Sequence, residues 1–118
     1  MTTQTITVGI TLSESDAVTT TLTPRKIPVP NGQVTVLEWT IPEGQGSFHE
    51  TNPFTWNTSP TIPAPPVVSR VSNTKLQSEP YTNTVNGGVS LTWRYTVRVV
   101  NGTAAVTMDP EVDNQPPG

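Results

Sequence analysis

The most regular pattern in the sequence is an alternation of apolar and polar residues in its last third. From Val89 to Val100, six apolar side chains alternate with serine, threonine and arginine, which is the two-residue period of a half-buried β-strand. The dipeptide Asn101-Gly102 follows, and it favours a type I′ turn because that turn needs positive φ at both positions. We therefore predict an antiparallel hairpin in which Thr103–Met108 pairs with Tyr95–Val100.

A second alternating run lies near the beginning of the chain. In Gln4–Leu12, the apolar residues 6, 8, 10 and 12 lie on one face and threonine or glycine on the other, so this segment is predicted to be a half-buried strand. The polar segment Ser13–Asp16 predicts a turn, and Ala17–Thr23 a second strand. Because sequential strands usually lie side by side, we expect the first strand to pack within its own chain.

The middle of the chain predicts shorter and less regular strands. In Gln33–Ile41, apolar residues fall on both faces, which indicates either a strand buried on both sides or a bulge near Val36. Phe54–Trp56 and Val67–Ser72 are also predicted to be strands, whereas Asn73–Asn86 is expected to be polar and irregular.

The composition favours strands over helices throughout. Among 118 residues there are 22 Thr and 15 Val, and 13 Pro leave no window for a long regular helix. The absence of cysteine excludes a disulfide framework, a thiol enzyme and a zinc ribbon. The predicted fold is an all-β, Ig-like antiparallel β-sandwich of about seven strands over residues 1–108, with residues 109–118 as a Pro-rich acidic tail.

The predicted hairpin also carries a resemblance to known proteins. The segment Leu91–Gly102 (LTWRYTVRVVNG), with the later Asp109-Pro110, resembles the small bacterial Ig-like β-sandwich proteins that have no assigned activity. The shared pattern is a long strand, a tight turn and a final strand. The resemblance implies a fold and no activity.

Aromatic and amide side chains cluster between residues 48 and 57, and this loop is the first candidate for a binding surface. Aromatic rings beside amide groups are suited to recognising sugars or peptides. The alternative is that Phe54 and Trp56 form the inner face of a short strand. The candidate binding residues are Phe48, His49, Asn52, Phe54, Trp56 and Asn57.

Neither a catalytic site nor a metal site is predicted. Ser47, His49 and Glu50 supply the residue types of a hydrolase triad, but they are crowded on one loop without a nucleophile-elbow motif. The three acidic residues within 109–113 would share one side of an extended segment, as the ligands of a hard cation do, yet a soluble acidic tail is the simpler interpretation. We therefore expect no enzyme activity, no cofactor and no bound metal.

Charge and targeting signals narrow the choice of partners. With six Lys and Arg and a net charge of −3, the chain lacks the basic surface of nucleic-acid-binding proteins. Arg94 and Arg98 are expected to face solvent or to pair with Glu38. No apolar run approaches the ~20 residues of a membrane span, and residues 1–4 lack the features of a secretory signal. The expected location is the cytoplasm, with special export or a virion location left open.

These observations predict a non-catalytic β-sandwich that acts as an interaction or assembly module, through a protein partner or self-association. One alternative is a structural subunit of a filament, fibre or virus particle that adds its N-terminal strand to a neighbouring sheet. The other is a carbohydrate- or ligand-binding module that uses the loop 48–57, with a glycan as its partner.

Overall fold

The computed structural model describes residues 3–13, 19–23, 26–58, 61, 64–86, 88–101 and 104–117, and within this part the chain forms twelve strands and no helix. The all-β prediction is therefore confirmed. The strands are β1 Gln4–Ser13, β2 Thr19–Thr23, β3 Lys26–Val29, β4 Val34–Thr40, β5 Ser47–Phe48, β6 Phe54–Trp56, β7 Val68–Ser72, β8 Lys75–Ser78, β9 Tyr81–Thr82, β10 Leu91–Asn101, β11 Ala104–Met108 and β12 Glu111–Asn114.

Two six-stranded sheets pack face to face as a β-sandwich. The first sheet has the order β2-β1-β4-β8-β7, with β9 also paired to β4. The second has the order β11-β10-β12-β3, with β5 and β6 also paired to β10. The predicted sandwich is confirmed, although the described residues form more strands than the seven expected.

The expectation of a purely antiparallel sandwich is wrong, because each sheet contains one parallel pair. These pairs are β1 with β4 and β3 with β12. The chain leaves the first sheet after β2, forms β3 in the second sheet, and returns to the first sheet as β4. Strands that enter a sheet in this way need not run antiparallel to their neighbours, unlike strands joined by a hairpin.

The N-terminal strand lies in its own chain's sheet, as the sequence predicts. β1 pairs antiparallel with β2, with Gly9 opposite Thr23, and its other edge pairs with β4. Val8 and Ile10 are fully buried, and Ile6 packs against the core. The predicted turn lies mostly outside the described residues, which do not include 14–18.

β4 is buried on both faces, which explains its irregular pattern. Thr35, Leu37 and Trp39 are fully buried on one face and Val36 is buried on the other. The register against β1 runs without interruption, so a bulge at Val36 is not the cause. On its other edge the hydrogen bonding of β4 is irregular, since the Leu37 N–H donates to Ser78 Oγ at 2.9 Å instead of to a backbone carbonyl.

The predicted C-terminal hairpin is confirmed. β10 and β11 pair antiparallel, with Val97 opposite Met108. The predicted turn glycine, Gly102, lies outside the described residues. Four of the six apolar residues predicted to face the core are fully or almost fully buried (93, 95, 97 and 99), whereas Val89 precedes the strand and is 71% exposed.

The hairpin continues beyond the predicted length. β12 also pairs antiparallel with β10, with Arg94 opposite Glu111, and its register continues that of β11 unchanged. Between the two paired stretches, the Tyr95 N–H donates to the Pro110 carbonyl at 3.1 Å. β11, the Asp109-Pro110 step and β12 therefore act as one long partner of β10.

Residues 111–114, expected to belong to an acidic tail, thus form a strand that lies between β10 and β3. Val112 and Asn114 are both fully buried. Pro110 has no N–H and cannot complete the ladder at its position, so the sequence pattern ends there although the pairing continues. The polar side chain of Asn114 is satisfied internally, since its Nδ2 donates to the Leu91 carbonyl at 3.2 Å and its Oδ1 accepts from the Tyr81 hydroxyl at 3.1 Å.

The segment Asn73–Asn86, expected to be irregular, contains β8 and β9. Its one fully buried apolar side chain, Leu76, lies opposite Trp39. Both strands are short and mostly polar, so they lack the length over which an alternation becomes visible. Their position is fixed by pairing with β4 rather than by their own pattern.

Candidate functional site

The aromatic residues of the candidate loop 48–57 belong to the core. Phe48 is only 2% exposed and lies opposite Val99. On β6, Phe54 and Trp56 are partly buried against the core, and the Phe54 ring stacks on Tyr95 with centroids 5.0 Å apart. This arrangement corresponds to the second interpretation, in which these rings form the inner face of a short strand.

The indole of Trp56 also fixes the following segment. Its Nε1 donates to the Pro66 carbonyl at 2.8 Å, and its ring meets the Trp93 ring edge-on at 5.5 Å. Trp93 Nε1 in turn donates to Thr61 Oγ1 at 3.1 Å. Both indole N–H groups are therefore committed to the protein itself.

His49 organises the loop between β5 and β6. Its Nδ1 accepts from the backbone N–H of Asn52 at 3.1 Å and of Thr51 at 3.3 Å. A neutral ring must then carry its proton on Nε2. None of the hydrogen bonds described for Ser47, His49 and Glu50 joins their side chains as a triad would.

The two amides of the loop have different surroundings. Asn52 is exposed, and its Oδ1 accepts from Thr55 Oγ1 at 3.3 Å. The Nδ2 of Asn57 donates to Thr96 Oγ1, and that hydroxyl donates to Asp109 Oδ1 at 2.7 Å. Asn57 therefore helps to hold the Asp109-Pro110 step against β10, whereas Asn52 faces solvent.

A cleft of about 250 Å³ lies beside this loop, at the end of the sandwich. Residues of both sheets form it, and the Phe48 N–H joins them by donating to the Asn73 carbonyl at 2.8 Å. The lining residues are Ser47, Phe48, Glu50, Arg70, Asn73 and Val100.

Arg70 is the residue of this region that the sequence analysis missed. It lies on β7, and its Nη2 donates to the carbonyls of His49 and of Glu50, the latter at 3.1 Å. It is the one charged residue in a Val- and Ser-rich strand, which was the only available signal. Its guanidinium thereby holds the loop 48–57 against the edge of the first sheet.

Arg70 and Glu50, the two charged residues that line the cleft, do not form an ion pair with each other. Among the described residues the only ion pair joins Lys75 Nζ to Glu38 Oε2, at 3.2 Å. Glu38 is therefore paired on its own sheet, so of the two alternatives for Arg94 and Arg98 the bridge to Glu38 does not form, and Arg94 is exposed. Arg98 instead donates through Nη1 to the Asn52 carbonyl and to Thr55 Oγ1.

The strand that carries Arg70 is also the last strand of the first sheet, and none of the described strands pairs with its outer edge. Four of its five residues, Ser69 to Ser72, are exposed, and the apolar Val67 and Val71 are 60% and 55% exposed. The Glu79 N–H donates to the Val67 carbonyl at 2.8 Å. Because backbone groups alternate in direction along an antiparallel strand, those of Val68 and Arg70 point away from β8.

Metal-site and membrane geometry were also considered for the described part of the chain. It contains no group of three or more His, Asp or Glu side chains placed to hold a metal ion, so Asp109, Glu111 and Asp113 do not converge as a cation site. The same residues contain no helix long and apolar enough to cross a membrane.

Comparison with known proteins gives no further assignment. No protein-family model matches this chain, and no curated protein matches it either. The structure supports the predicted β-sandwich, and the function has to be inferred from the surfaces described above.

Proposed function

We propose that this protein is a non-catalytic interaction module that self-associates by pairing β7 with β7 of a second copy. The observation that supports this proposal is the open edge of β7, with Val67 exposed just before the strand and Val71 exposed within it. An unpaired strand edge is a ready template for another strand, and main-chain hydrogen bonds then supply much of the affinity.

The protection that usually guards an edge strand is incomplete on β7. Natural edges carry charges or bulges that prevent pairing. A bulge lies between Arg70 and Ser72, and it leaves residues 67–70 in regular pairing geometry. The charged group on this stretch, the Arg70 guanidinium, is held by the loop carbonyls of His49 and Glu50. Two copies related by a twofold axis would then pair these stretches antiparallel.

The two alternative functions have less support. Strand donation requires β1 to leave its sheet, yet its first half pairs with β4 and its second half with β2 within its own chain. Glycan binding by the loop 48–57 requires exposed rings, yet Phe48, Phe54 and Trp56 pack against the core. The β7 edge needs no such rearrangement, because β7 is the last strand of its sheet and most of its residues are exposed.

Sedimentation velocity at increasing protein concentration tests this proposal. We expect the wild type to show a concentration-dependent dimer, and Val71→Lys to weaken it, since a lysine on an edge strand opposes pairing with another strand. Val89→Lys is the matched control, because Val89 is more exposed (71%) and lies outside β7. A wild type that stays monomeric throughout, or a control that weakens association as much as Val71→Lys, would refute the proposal.

A further inference from the structure

The cleft at the end of the sandwich is a preformed recess that shares only Arg70 with the strand edge of the proposed self-association. Its volume of about 250 Å³ lies just below the ~300–1,000 Å³ of typical ligand pockets, so it suits a small metabolite. Phe48 and Val100 provide apolar contact, and the remaining lining residues are polar or charged.

Arg70 presents a fixed positive charge to this cleft. Its guanidinium has five N–H donors, and the two hydrogen bonds described for it both use Nη2. Those bonds orient the group without neutralising it, because backbone carbonyls carry no net charge. The donors on Nε and Nη1 have no acceptor among the described residues, so they remain for a ligand oxygen.

Glu50 presents a negative charge to the same cleft. Its backbone carbonyl accepts from Arg70 at 3.1 Å, yet its carboxylate is not among the ion pairs of the described residues. The two opposite charges therefore lie within one small recess without being paired to each other. The hydroxyl of Ser47 and the amide of Asn73 add uncharged hydrogen-bonding groups.

We propose that this cleft binds a free α-amino acid with a small apolar side chain. The ligand's carboxylate would accept from Arg70 and Asn73, and its ammonium would donate to Glu50 and Ser47. A zwitterion satisfies both charges at once, whereas a simple anion or cation leaves one of them opposed only by solvent. Both charged residues are exposed, so each ion pair contributes modestly, and we expect affinity on the order of 1 mM.

Backbone amide NMR titrations with L-valine and two single-charge analogues test this inference. Isobutylamine lacks the carboxylate and isovalerate lacks the ammonium, while both keep the side chain. We expect saturable shifts at residues 47–50, 70 and 73 with L-valine, and binding about two- to fivefold weaker with each analogue. Equal binding of all three ligands, or no shift with L-valine, would overturn the proposal.

Two matched substitutions separate the role of the charge from that of the fold. Glu50→Gln keeps the shape of an exposed side chain. We expect this variant to bind L-valine as weakly as the wild type binds isovalerate, which has no ammonium group. Glu79→Gln removes an equally exposed charge outside the cleft and should leave binding unchanged. Unchanged binding by Glu50→Gln would refute the proposal. Val71→Lys, which tests self-association, removes no cleft residue, so the two proposals fail separately.

Discussion

The hydrogen bond between Trp39 and Tyr95 joins the two sheets in the middle of the core, and its removal gives a quantitative test of the fold. Trp39 Nε1 donates to the Tyr95 hydroxyl at 3.0 Å, and both residues are fully buried. Their rings also meet edge-on with centroids 5.4 Å apart. Tyr95→Phe removes one oxygen atom and leaves the ring contacts in place.

The expected cost follows from the group left behind. In Tyr95→Phe the Trp39 N–H stays buried without an acceptor, and an unsatisfied buried donor costs about 1–3 kcal/mol. This is a substantial part of the ~5–15 kcal/mol available to a domain. Ser72→Ala is the matched control, because it also removes one hydroxyl oxygen, but the Thr74 N–H that donates to Ser72 Oγ at 3.3 Å is exposed, so water can replace the lost bond.

Urea unfolding followed by far-UV circular dichroism measures both variants. We expect a clear fall in the midpoint for Tyr95→Phe at an unchanged slope, and little change for Ser72→Ala. If Tyr95→Phe matched the wild type, the two sheets would not be joined by this bond, and the assigned packing of β4 on β10 would be wrong.

Two further predictions concern alkaline pH and the last strand. Burial raises the pKa of Tyr95 to about 12 and that of Tyr81 further above its usual value of 10. The folded state therefore holds these two protons more tightly than the unfolded state does. The stability that they contribute is complete below pH 10 and is lost as the pH rises from about 10 through 12. Urea midpoints measured across this range should fall, and the fall should be shallower in Tyr95→Phe; a parallel fall would contradict the assignment. Deleting residues 109–118 should unfold the domain, as measured by circular dichroism, because it removes β12 from between β10 and β3. A chain that ends at Gln115 should stay folded. A folded 1–108 chain would show that β12 is dispensable.

The sequence predicts the parts of this fold whose pattern is long and local. β1 and β10 alternate over several residues, and each alternation reports burial against the opposite sheet. The sequence did not predict β12 as a strand, because Pro110 has no N–H to donate to the ladder and because most residues of β12 are polar. Asn114 is buried only because Tyr81 and Leu91 supply its hydrogen bonds, and no pattern within four residues can report such partners.

The candidate site shows the same limit. The sequence predicted a binding surface at the loop 48–57, and the cleft lies beside that loop. The aromatic rings on which the prediction was based pack into the core instead. The side chain that shapes the cleft, Arg70, is some 20 residues from Glu50 along the chain. Such a juxtaposition arises because the carbonyls that follow β5 accept from Arg70 on β7, and neither segment carries a signal for the other.

The parallel pairing of β3 with β12 has a consequence for the order of folding. It places Lys26 opposite Glu111, so the intervening chain must be closed into a very large loop before any of its hydrogen bonds form. Closing a loop costs entropy that grows with its length, and folds dominated by such distant contacts fold slowly. The β10 hairpin needs only a short turn, so we expect it to form early and to provide the edge onto which β3 is added. A transition state with an ordered hairpin and an unattached β3 follows from this topology.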